Sequence, residues 1–244
     1  MTKIDINCDV GEGMLNEAAL FPLISSCNIA CGGHFGSAKT IDKAIALALK
    51  HNVKIGAHPS FPDQENFGRK LIKISNEALS ESLETQIEFF LERLAKVNQK
   101  LHHIKPHGAL YNRIAIDTGL AEVFIDSISK YLTDSCLYVP YQSKIEEVAL
   151  YNNINISYEA FADRNYTNSL RLVDRRDNNS VIQQPKKVFE HVYFMLKENQ
   201  VVSIEGKKIQ IKADTFCIHG DNENAVAILN TLHKELTEKG IAVQ

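Results

Sequence analysis

The side chains able to do acid–base or metal chemistry recur along the sequence, each set following a short apolar run. Carboxyl and imidazole groups predominate, joined by one ammonium and one guanidinium group. These residues are Asp9, Glu12, His34, His58, Lys105, His107, Asp163, Arg164, His219 and Asp221. Imidazole and carboxyl groups suit general acid–base catalysis or a metal-bound water, whereas Lys and Arg bind carboxylate or phosphate. The set indicates a small-molecule hydrolase or lyase acting on an anionic substrate, with a divalent metal ion as an open alternative.

The apolar runs that precede these residues are predicted strands, and stretches with helical spacing lie between them. The strand predictions cover residues 4–9, 27–31, 54–57, 103–105, 136–139, 156–161 and 215–219. The helix predictions cover residues 37–51, 76–97, 117–132 and 222–239, with Asn76 and Asp117 as N-caps and Gly240 as a stop. Alternating strands and helices predict βαβ units and a parallel sheet.

About seven strands with no obvious edge strand favour an α/β fold of the (β/α) barrel type, formed as one domain over residues 1–244. The C-terminal strand ends of such a barrel share one rim, so we expect the polar side chains to converge there. The rival is an open doubly wound sheet, which should carry a glycine-rich phosphate loop. Neither G-x-G-x-x-G nor G-x-x-x-x-G-K-[ST] occurs, so the barrel is preferred.

Two segments interrupt the alternation of strands and helices. Residues 200–213 predict an added β-hairpin with its turn at Glu205-Gly206-Lys207. Residues 165–187 are polar and rich in Asn and Arg, which is typical of a functional lid or a disordered loop.

Composition and charge argue against several classes of protein. The net charge is −3 with acids and bases spread along the chain, which is atypical of a nucleic-acid binder. No apolar run approaches the roughly 18 residues of a membrane helix, and the N-terminus lacks a signal-peptide core. Five cysteines without zinc-ribbon spacing indicate buried free thiols in a reducing compartment. We therefore expect a cytoplasmic protein that binds neither nucleic acid nor membrane.

Several long motifs carry a resemblance to a known family. They cover residues 4–13, 26–34, 56–63, 66–69, 105–112, 159–166 and 217–221, and include Lys105-Pro106-His107-Gly108 and His219-Gly220-Asp221. At these residues the chain resembles the LamB/YcsF family. The resemblance implies a barrel related to the polysaccharide-deacetylase-like folds. It also implies the opening of 5-oxo-L-proline (pyroglutamate) to L-glutamate, with ATP as co-substrate, by an A subunit that works with subunits B and C.

Three departures from the family pattern bear on this expectation. Where members usually read His-Ala-Gly-Asp, this chain reads His34-Phe35-Gly36-Ser37, which removes a carboxylate. The usual Asp-Gly turn is replaced by Ser169-Leu170, and Leu-Val-Pro-Arg by Leu172-Val173-Asp174-Arg175. The chain is therefore either a divergent paralogue with an altered substrate or a member in which these changes are neutral.

The predicted site assigns a role to each group. Asp9, Glu12, His107, Asp163 and Asp221 are the predicted catalytic residues, and Asn7, Lys105, Arg164 and His219 the predicted substrate-binding residues. A divalent metal, if bound, would have His34, His58 and His107 as ligands. Two alternatives remain: a metal-dependent deacetylase or amidohydrolase acting on another small anionic substrate, and a subunit that presents a lactam to its partners without catalysis.

Overall fold

The structure is a computed structural model that describes residues 2–244. The strands are β1 (Thr2–Val10), β2 (Ser26–Ala30), β3 (Lys54–His58), β4 (His103–Ile104), β5 (Cys136–Pro140), β6 (Ile156–Phe161), β7 (Gln200–Val202), β8 (Lys208–Gln210), β9 (Thr215–Ile218) and β10 (Ile241–Val243). The α-helices are α1 (Glu17–Leu20), α2 (Ala38–His51), α3 (Asn76–Ala95), α4 (Gly108–Ile114), α5 (Thr118–Ile128), α6 (Lys144–Tyr151), α7 (Pro185–Glu198) and α8 (Ala225–Glu238). In this described range no helix combines the length and apolarity needed to cross a membrane.

Seven of the strands close into a parallel barrel. β1 to β6 pair in chain order, and β9 pairs with both β6 and β1 to close the ring. Asn7 of β1, for example, lies opposite Ser26 on one side and Cys217 on the other. The predicted (β/α) barrel is confirmed. One strand was missed: the short β10 follows Gly240 and pairs with the N-terminal end of β1.

The barrel interior is polar. Along β1, Ile6, Cys8 and Val10 belong to the apolar cluster shared with the helices. The alternate residues Asn7 and Asp9 instead contact polar side chains of neighbouring strands. Barrels of this type usually fill the interior with branched aliphatic side chains. Here the interior is a hydrogen-bonded network that leads to the C-terminal rim.

Helix boundaries follow the capping side chains, with one correction to the sequence prediction. Asn76 was predicted as an N-cap, but it is the first residue of α3, and Ser75 is the cap. Ser75 has extended backbone dihedrals, and its hydroxyl accepts from the Ala78 N–H. Asp117 caps α5 as predicted. Gly240 has a φ of +74° just after α8, which confirms the predicted stop.

Of the two segments that interrupt the alternation, one forms a β-hairpin and the other is mostly irregular and leads into a helix. β7 and β8 form the predicted antiparallel hairpin, with Gly206 in its turn. The prediction of a continuous loop over 165–187 is wrong at its end, because Pro185 begins α7 with a backbone preset for a first helical turn. The rest of this segment carries two isolated bridges, Arg164 with Val181 and Tyr166 with Leu172.

Candidate active site at the C-terminal rim

Lys105 follows β4, and its ammonium group is buried inside the barrel. Nζ lies 2.9 Å from Asp9 Oδ1 and 2.9 Å from Glu159 Oε1, and it donates to Cys217 Sγ at 3.0 Å. Burial acts to lower the pKa of Lys105, but Asp9, Cys217 and Glu159 raise that pKa well above its usual value. Lys105 is therefore a cation held between two buried carboxylates.

The carboxylate of Asp9 is fixed by side chains from neighbouring strands. Asn28 Nδ2 donates to Asp9 Oδ1 at 2.8 Å, and Asn28 Oδ1 accepts from His103 Nε2 at 2.7 Å. Burial acts against ionisation of Asp9, but His58 and Lys105 hold the pKa of its carboxyl well below the usual value. Asp9 is therefore an oriented anion at the centre of the site.

Replacing Asn28 by alanine tests this network. Loss of the amide removes the acceptor of His103 Nε2 and one of the donors to Asp9 Oδ1 inside the barrel, so we expect the free energy of unfolding to fall by about 1–3 kcal/mol. Urea denaturation measures the change. The control is Asn230→Ala, which removes an exposed side chain that donates to the Val226 carbonyl on α8. A change within about 0.5 kcal/mol is expected there, and equal effects in the two variants would contradict the role of Asn28.

Three histidines and a glutamate form the histidine cluster, defined as Glu12, His34, His58 and His107. His34 Nε2 lies 2.9 Å from Glu12 Oε1, and His107 Nδ1 lies 2.9 Å from His58 Nε2. The His34 and His107 rings stack with centroids 3.7 Å apart. One ligand atom from each of the four residues lies within 4.8 Å of the others, so the cluster could hold a divalent metal ion.

Burial controls the protonation of this cluster. It lowers the pKa of His34 to about 2, and burial together with the neighbouring His34 holds the pKa of His107 well below its usual value. Burial and the nearby Asp9 carboxylate raise the pKa of Glu12 well above its usual value. The imidazoles of His34 and His107 are therefore neutral, as metal ligands must be.

Gly68 shapes the wall of the histidine cluster. It has a φ of +62°, and an added Cβ would lie 2.8 Å from His34 Cβ and 3.0 Å from His107 Cδ2. Gly206 has a similar φ of +83°, but nothing lies within 4 Å of an added Cβ there. Both positions favour glycine, yet only Gly68 also needs the space.

The substitution Gly68→Ala is expected to destabilise the protein more than Gly206→Ala. Both variants incur about 1–2 kcal/mol for left-handed backbone, and Gly68→Ala adds about 1–3 kcal/mol of overpacking against the two imidazoles. Thermal unfolding of the two variants measures the difference. Equal decreases in the melting temperature of the two variants would mean that the histidine cluster accommodates the extra methyl group without a loss of stability.

An aspartate orients a histidine at the mouth of the barrel. Asp163 Oδ1 accepts from His219 Nδ1 at 2.8 Å, and Asp163 Oδ2 accepts from Asn222 Nδ2 at 3.1 Å. Burial acts to raise the pKa of Asp163, but His219 and Asn222 lower it below its usual value. A carboxylate that accepts from Nδ1–H leaves the lone pair of a neutral ring on Nε2. The Asp163–His219 pair can therefore take up a proton at Nε2.

Arginines attach the 165–184 segment to the rim. The buried Arg164 donates through Nε to the Ser180 carbonyl at 3.0 Å and through Nη2 to the Val173 carbonyl at 2.6 Å. Asp221 accepts from Arg175 Nη1 at 3.0 Å and from Arg69 Nη2 at 2.5 Å. These contacts fold the segment over the barrel mouth and use Arg164 to hold it there.

The functional groups open into a cleft of about 970 Å³. Predicted site residues that line it are Asp9, His58, Lys105, His107, Arg164 and His219. Besides Lys105 and Arg164, its basic lining residues are Arg69, Lys70, Lys144, Arg171, Arg175 and Arg176. The volume is within the range of small-molecule and cofactor sites, and the basic lining favours an anionic ligand. Another cavity, of about 760 Å³ beside α7, contains none of the predicted site residues.

Comparison with known proteins gives the chain a family. The sequence profile of the LamB/YcsF family matches residues 4–244. The chain belongs to the LamB/YcsF family. A relative from Staphylococcus aureus (strain bovine RF122 / ET3-1), named as the A subunit of 5-oxoprolinase, is 35% identical over 248 residues, which cover 99% of each chain. The crystal structure of the lactam utilization protein from Thermus thermophilus superposes with a TM-score of 0.92 at 33% identity, covering 100% of this chain and 99% of that one.

The structure brings most of the predicted LamB/YcsF site residues to one rim, but not all of them face the cleft. Asn7 lies in the barrel interior, where Nδ2 donates to Thr215 Oγ1 at 2.8 Å and Oδ1 accepts from Asn28 and Lys105. Glu12 is buried behind the residues that line the cleft. The predicted role of Asn7 in substrate binding therefore remains a prediction.

Two departures from the LamB/YcsF pattern have a local structural account. Ser37 is the exposed N-cap of α2 and forms a capping box with Thr40. An Asp and a Ser are equivalent caps, so the exchange keeps this role. Leu170, in place of the usual glycine, keeps a positive φ of 56° in a turn closed by the bridge from Tyr166 to Leu172. The turn therefore survives the substitution with a residue that adopts this conformation less readily.

Sequence reasoning assigned no role in the site to Asn28, Glu159 or Cys217, which belong to the Lys105 network. Asn28 and Glu159 both lie within the family motifs, yet neither received a role. Glu159 could have been found, because residues 159, 161 and 163 share one face of a strand with period two. Asn28 lies between apolar neighbours in β2 and gives only the weaker signal of a polar residue in a buried strand.

Proposed function

We propose that this chain is the A subunit of an ATP-dependent 5-oxoprolinase that opens 5-oxo-L-proline to L-glutamate. The observation that carries the proposal is its match over 99% of both chains to relatives named as the A subunit of 5-oxoprolinase. The named lactam utilization protein, similar over the full length, supports the same substrate class. The partners are then subunits B and C, and the compartment is the cytoplasm.

The reaction needs an activated amide. In the lactam, nitrogen donates electrons to the ring carbonyl and makes its carbon a poor electrophile. Phosphoryl transfer from ATP to the carbonyl oxygen converts that oxygen into a leaving group, and water can then attack the carbon. The ring C–N bond breaks, the nitrogen takes a proton, phosphate leaves, and the water oxygen becomes part of the new side-chain carboxylate of glutamate.

The rim supplies groups suited to the water attack and the ring opening. The Asp163–His219 pair can take the proton of the attacking water at His219 Nε2 and return it to the ring nitrogen. Asp9, held by Lys105 and Asn28, can orient a polar atom of the substrate from the floor of the cleft. The basic lining of the cleft, including Arg69 and Arg175, suits the substrate carboxylate.

ATP enters this proposal through the family resemblance. The sequence has no glycine-rich phosphate loop of either common type, so any contact of this chain with the nucleotide uses other groups. In this proposal ATP binds to the complex of subunits A, B and C, and the rim of the A subunit performs the hydrolytic half of the reaction.

A second candidate is a metal-dependent amidohydrolase that works without ATP. The observation that favours it is the histidine cluster, with four ligand atoms within 4.8 Å of one another. Such an enzyme needs neither partner subunits nor a nucleotide.

One assay separates these functions. Glutamate and phosphate release from 5-oxo-L-proline and ATP is measured with this chain and subunits B and C, and again with each component left out. Coupled release that requires every component is expected. Lactam opening by this chain alone without ATP would favour the second candidate, and no release from the complete, folded mixture would overturn the proposal. If Asp9→Asn abolishes release while the complex still binds the lactam, the chain does more than present the substrate.

A further inference from the structure

The histidine cluster brings two hydrogen-bond acceptors against each other. His58 Nδ1 lies 2.7 Å from the Lys105 carbonyl oxygen, and His107 Nε2 lies 3.0 Å from the Phe67 carbonyl oxygen. Because a carbonyl oxygen only accepts, each of these nitrogens carries the proton of its ring. In neutral rings the other two nitrogens, His58 Nε2 and His107 Nδ1, then present lone pairs. These two nitrogens are 2.9 Å apart.

The surroundings add further acceptors at the same point. Asp9 Oδ2 lies 3.5 Å from His58 Nε2, and Glu12 Oε1 lies 3.6 Å from His107 Nδ1. All four side chains are buried, so bulk water does not screen their lone pairs and charges. An arrangement of facing acceptors in a buried site is stable when a cation lies between them.

We propose that Glu12, His34, His58 and His107 bind one divalent transition-metal ion of the class that includes Zn²⁺, Mn²⁺ and Co²⁺. Two nitrogens bound to one ion at about 2.0–2.1 Å are about 2.8–3.0 Å apart in octahedral geometry and about 3.3–3.4 Å apart in tetrahedral geometry. The 2.9 Å separation of His58 Nε2 from His107 Nδ1 fits the octahedral range. The bond from the opposite ring nitrogen to a carbonyl oxygen is also the usual way in which a metal-binding histidine is oriented.

The donor set selects the class of ion. Three imidazoles and one carboxylate suit a transition metal, whereas Mg²⁺ and Ca²⁺ prefer oxygen ligands throughout. His58 and His107 line the cleft, so the ion would lie at its edge, where it could polarise a carbonyl or lower the pKa of water. The inference depends on the cluster alone and stands whether or not the lactam is the substrate.

Metal binding to the full chain, purified without an affinity tag, tests the inference. Chelator-treated protein is titrated with Zn²⁺ against a fluorescent competitor, and Co²⁺ binding is followed by its visible absorption. We expect one ion per chain, no competition from millimolar Mg²⁺, and a Co²⁺ spectrum typical of nitrogen ligation. If folded, metal-free protein binds none of Zn²⁺, Mn²⁺ or Co²⁺, the acceptor pair is occupied by a proton and the inference is wrong.

Variants locate the ion within the site. His107→Ala and the isosteric Glu12→Gln are each expected to weaken binding by more than about 100-fold, because loss of an outer partner alone costs about 10–100-fold. Circular dichroism confirms that each variant is folded. His219→Asn is the matched control, because His219 forms a separate possible group with Asp9 and Cys217. Loss of the ion in His219→Asn, with binding retained in His107→Ala and Glu12→Gln, would place it in that other group and overturn the assignment.

Discussion

Replacing Lys105 by methionine is expected to destabilise the protein by about 3–5 kcal/mol, because it leaves two buried carboxylates without their cation. Lys105 Nζ lies 2.9 Å from both Asp9 Oδ1 and Glu159 Oε1, and all three side chains are buried. Methionine keeps the length and most of the volume of the side chain, so the loss of stability reports mainly on the lost charge. Chemical denaturation at neutral pH measures the change in the free energy of unfolding.

A surface lysine provides the matched control for this substitution. Lys130 also contacts two carboxylates, Glu84 at 2.7 Å and Glu88 at 3.7 Å, but all three are exposed. Lys130→Met is expected to cost about 0–1 kcal/mol, because solvent screens such pairs. A loss of similar size for Lys105→Met would mean that the buried ion pairs do not form.

The effect of Lys105→Met should also depend on pH. In the unmodified protein the folded-state pKa of Asp9 is lowered, so its contribution is present above the unfolded-state pKa and is lost as pH falls through the folded value. Without Lys105, one of the groups that lower the folded-state pKa of Asp9 is lost while His58 remains, so that pKa rises. The variant then takes up a proton on Asp9 at a higher pH than the unmodified protein, and its deficit is expected to shrink as the pH falls through that raised pKa. A deficit that stays constant would indicate lost packing and not unpaired charge.

Asp163→Asn is expected to lower kcat of the proposed 5-oxoprolinase, assembled with its partner subunits, by about 10³-fold or more, by analogy with other aspartate–histidine pairs. An amide that donates to His219 Nδ1 favours the tautomer with the proton on Nε2. That tautomer cannot accept a proton from water. The residue acts through His219, so its role is in positioning.

Two readouts distinguish positioning from a structural role for Asp163. The pH–rate profile should change shape in Asp163→Asn, while KM changes little. The control Asp214→Asn alters an exposed aspartate that accepts from the Tyr158 N–H, and kcat should be unchanged. If Asp163→Asn keeps kcat within about tenfold, the Asp163–His219 pair is not the proton acceptor.

Much of the fold could be predicted because its signals are local. All seven barrel strands and four of the helices were found from apolar spacing of two or about 3.6 residues. The short β10 was missed because three residues after Gly240 carry no periodicity. No helix was predicted for α7, which begins at Pro185 directly after the polar 165–184 segment, or for the short helices α1, α4 and α6.

For the candidate site, the sequence predicted the positions of several side chains but not all of their binding partners. Positions after strand ends identified His58, His107 and His219 because a barrel places such positions on one rim. The same reasoning predicted that Arg164 binds the substrate. In the structure its buried guanidinium group donates to two backbone carbonyls of the 165–184 segment. Whether a strand-end arginine faces a ligand or a loop depends on where a later segment folds, and spacing along the chain does not encode that.

The sequence by itself determined the alternation of strands and helices, the rim on which the chemistry collects, and membership of the LamB/YcsF family. Periodicity and strand-end position are properties of neighbouring residues, so they can be read without coordinates. Only the tertiary structure decided that Lys105 is a buried cation between Asp9 and Glu159, and that His58 Nε2 and His107 Nδ1 lie 2.9 Å apart. Those facts depend on distances between separate strands, which arise only when the barrel closes.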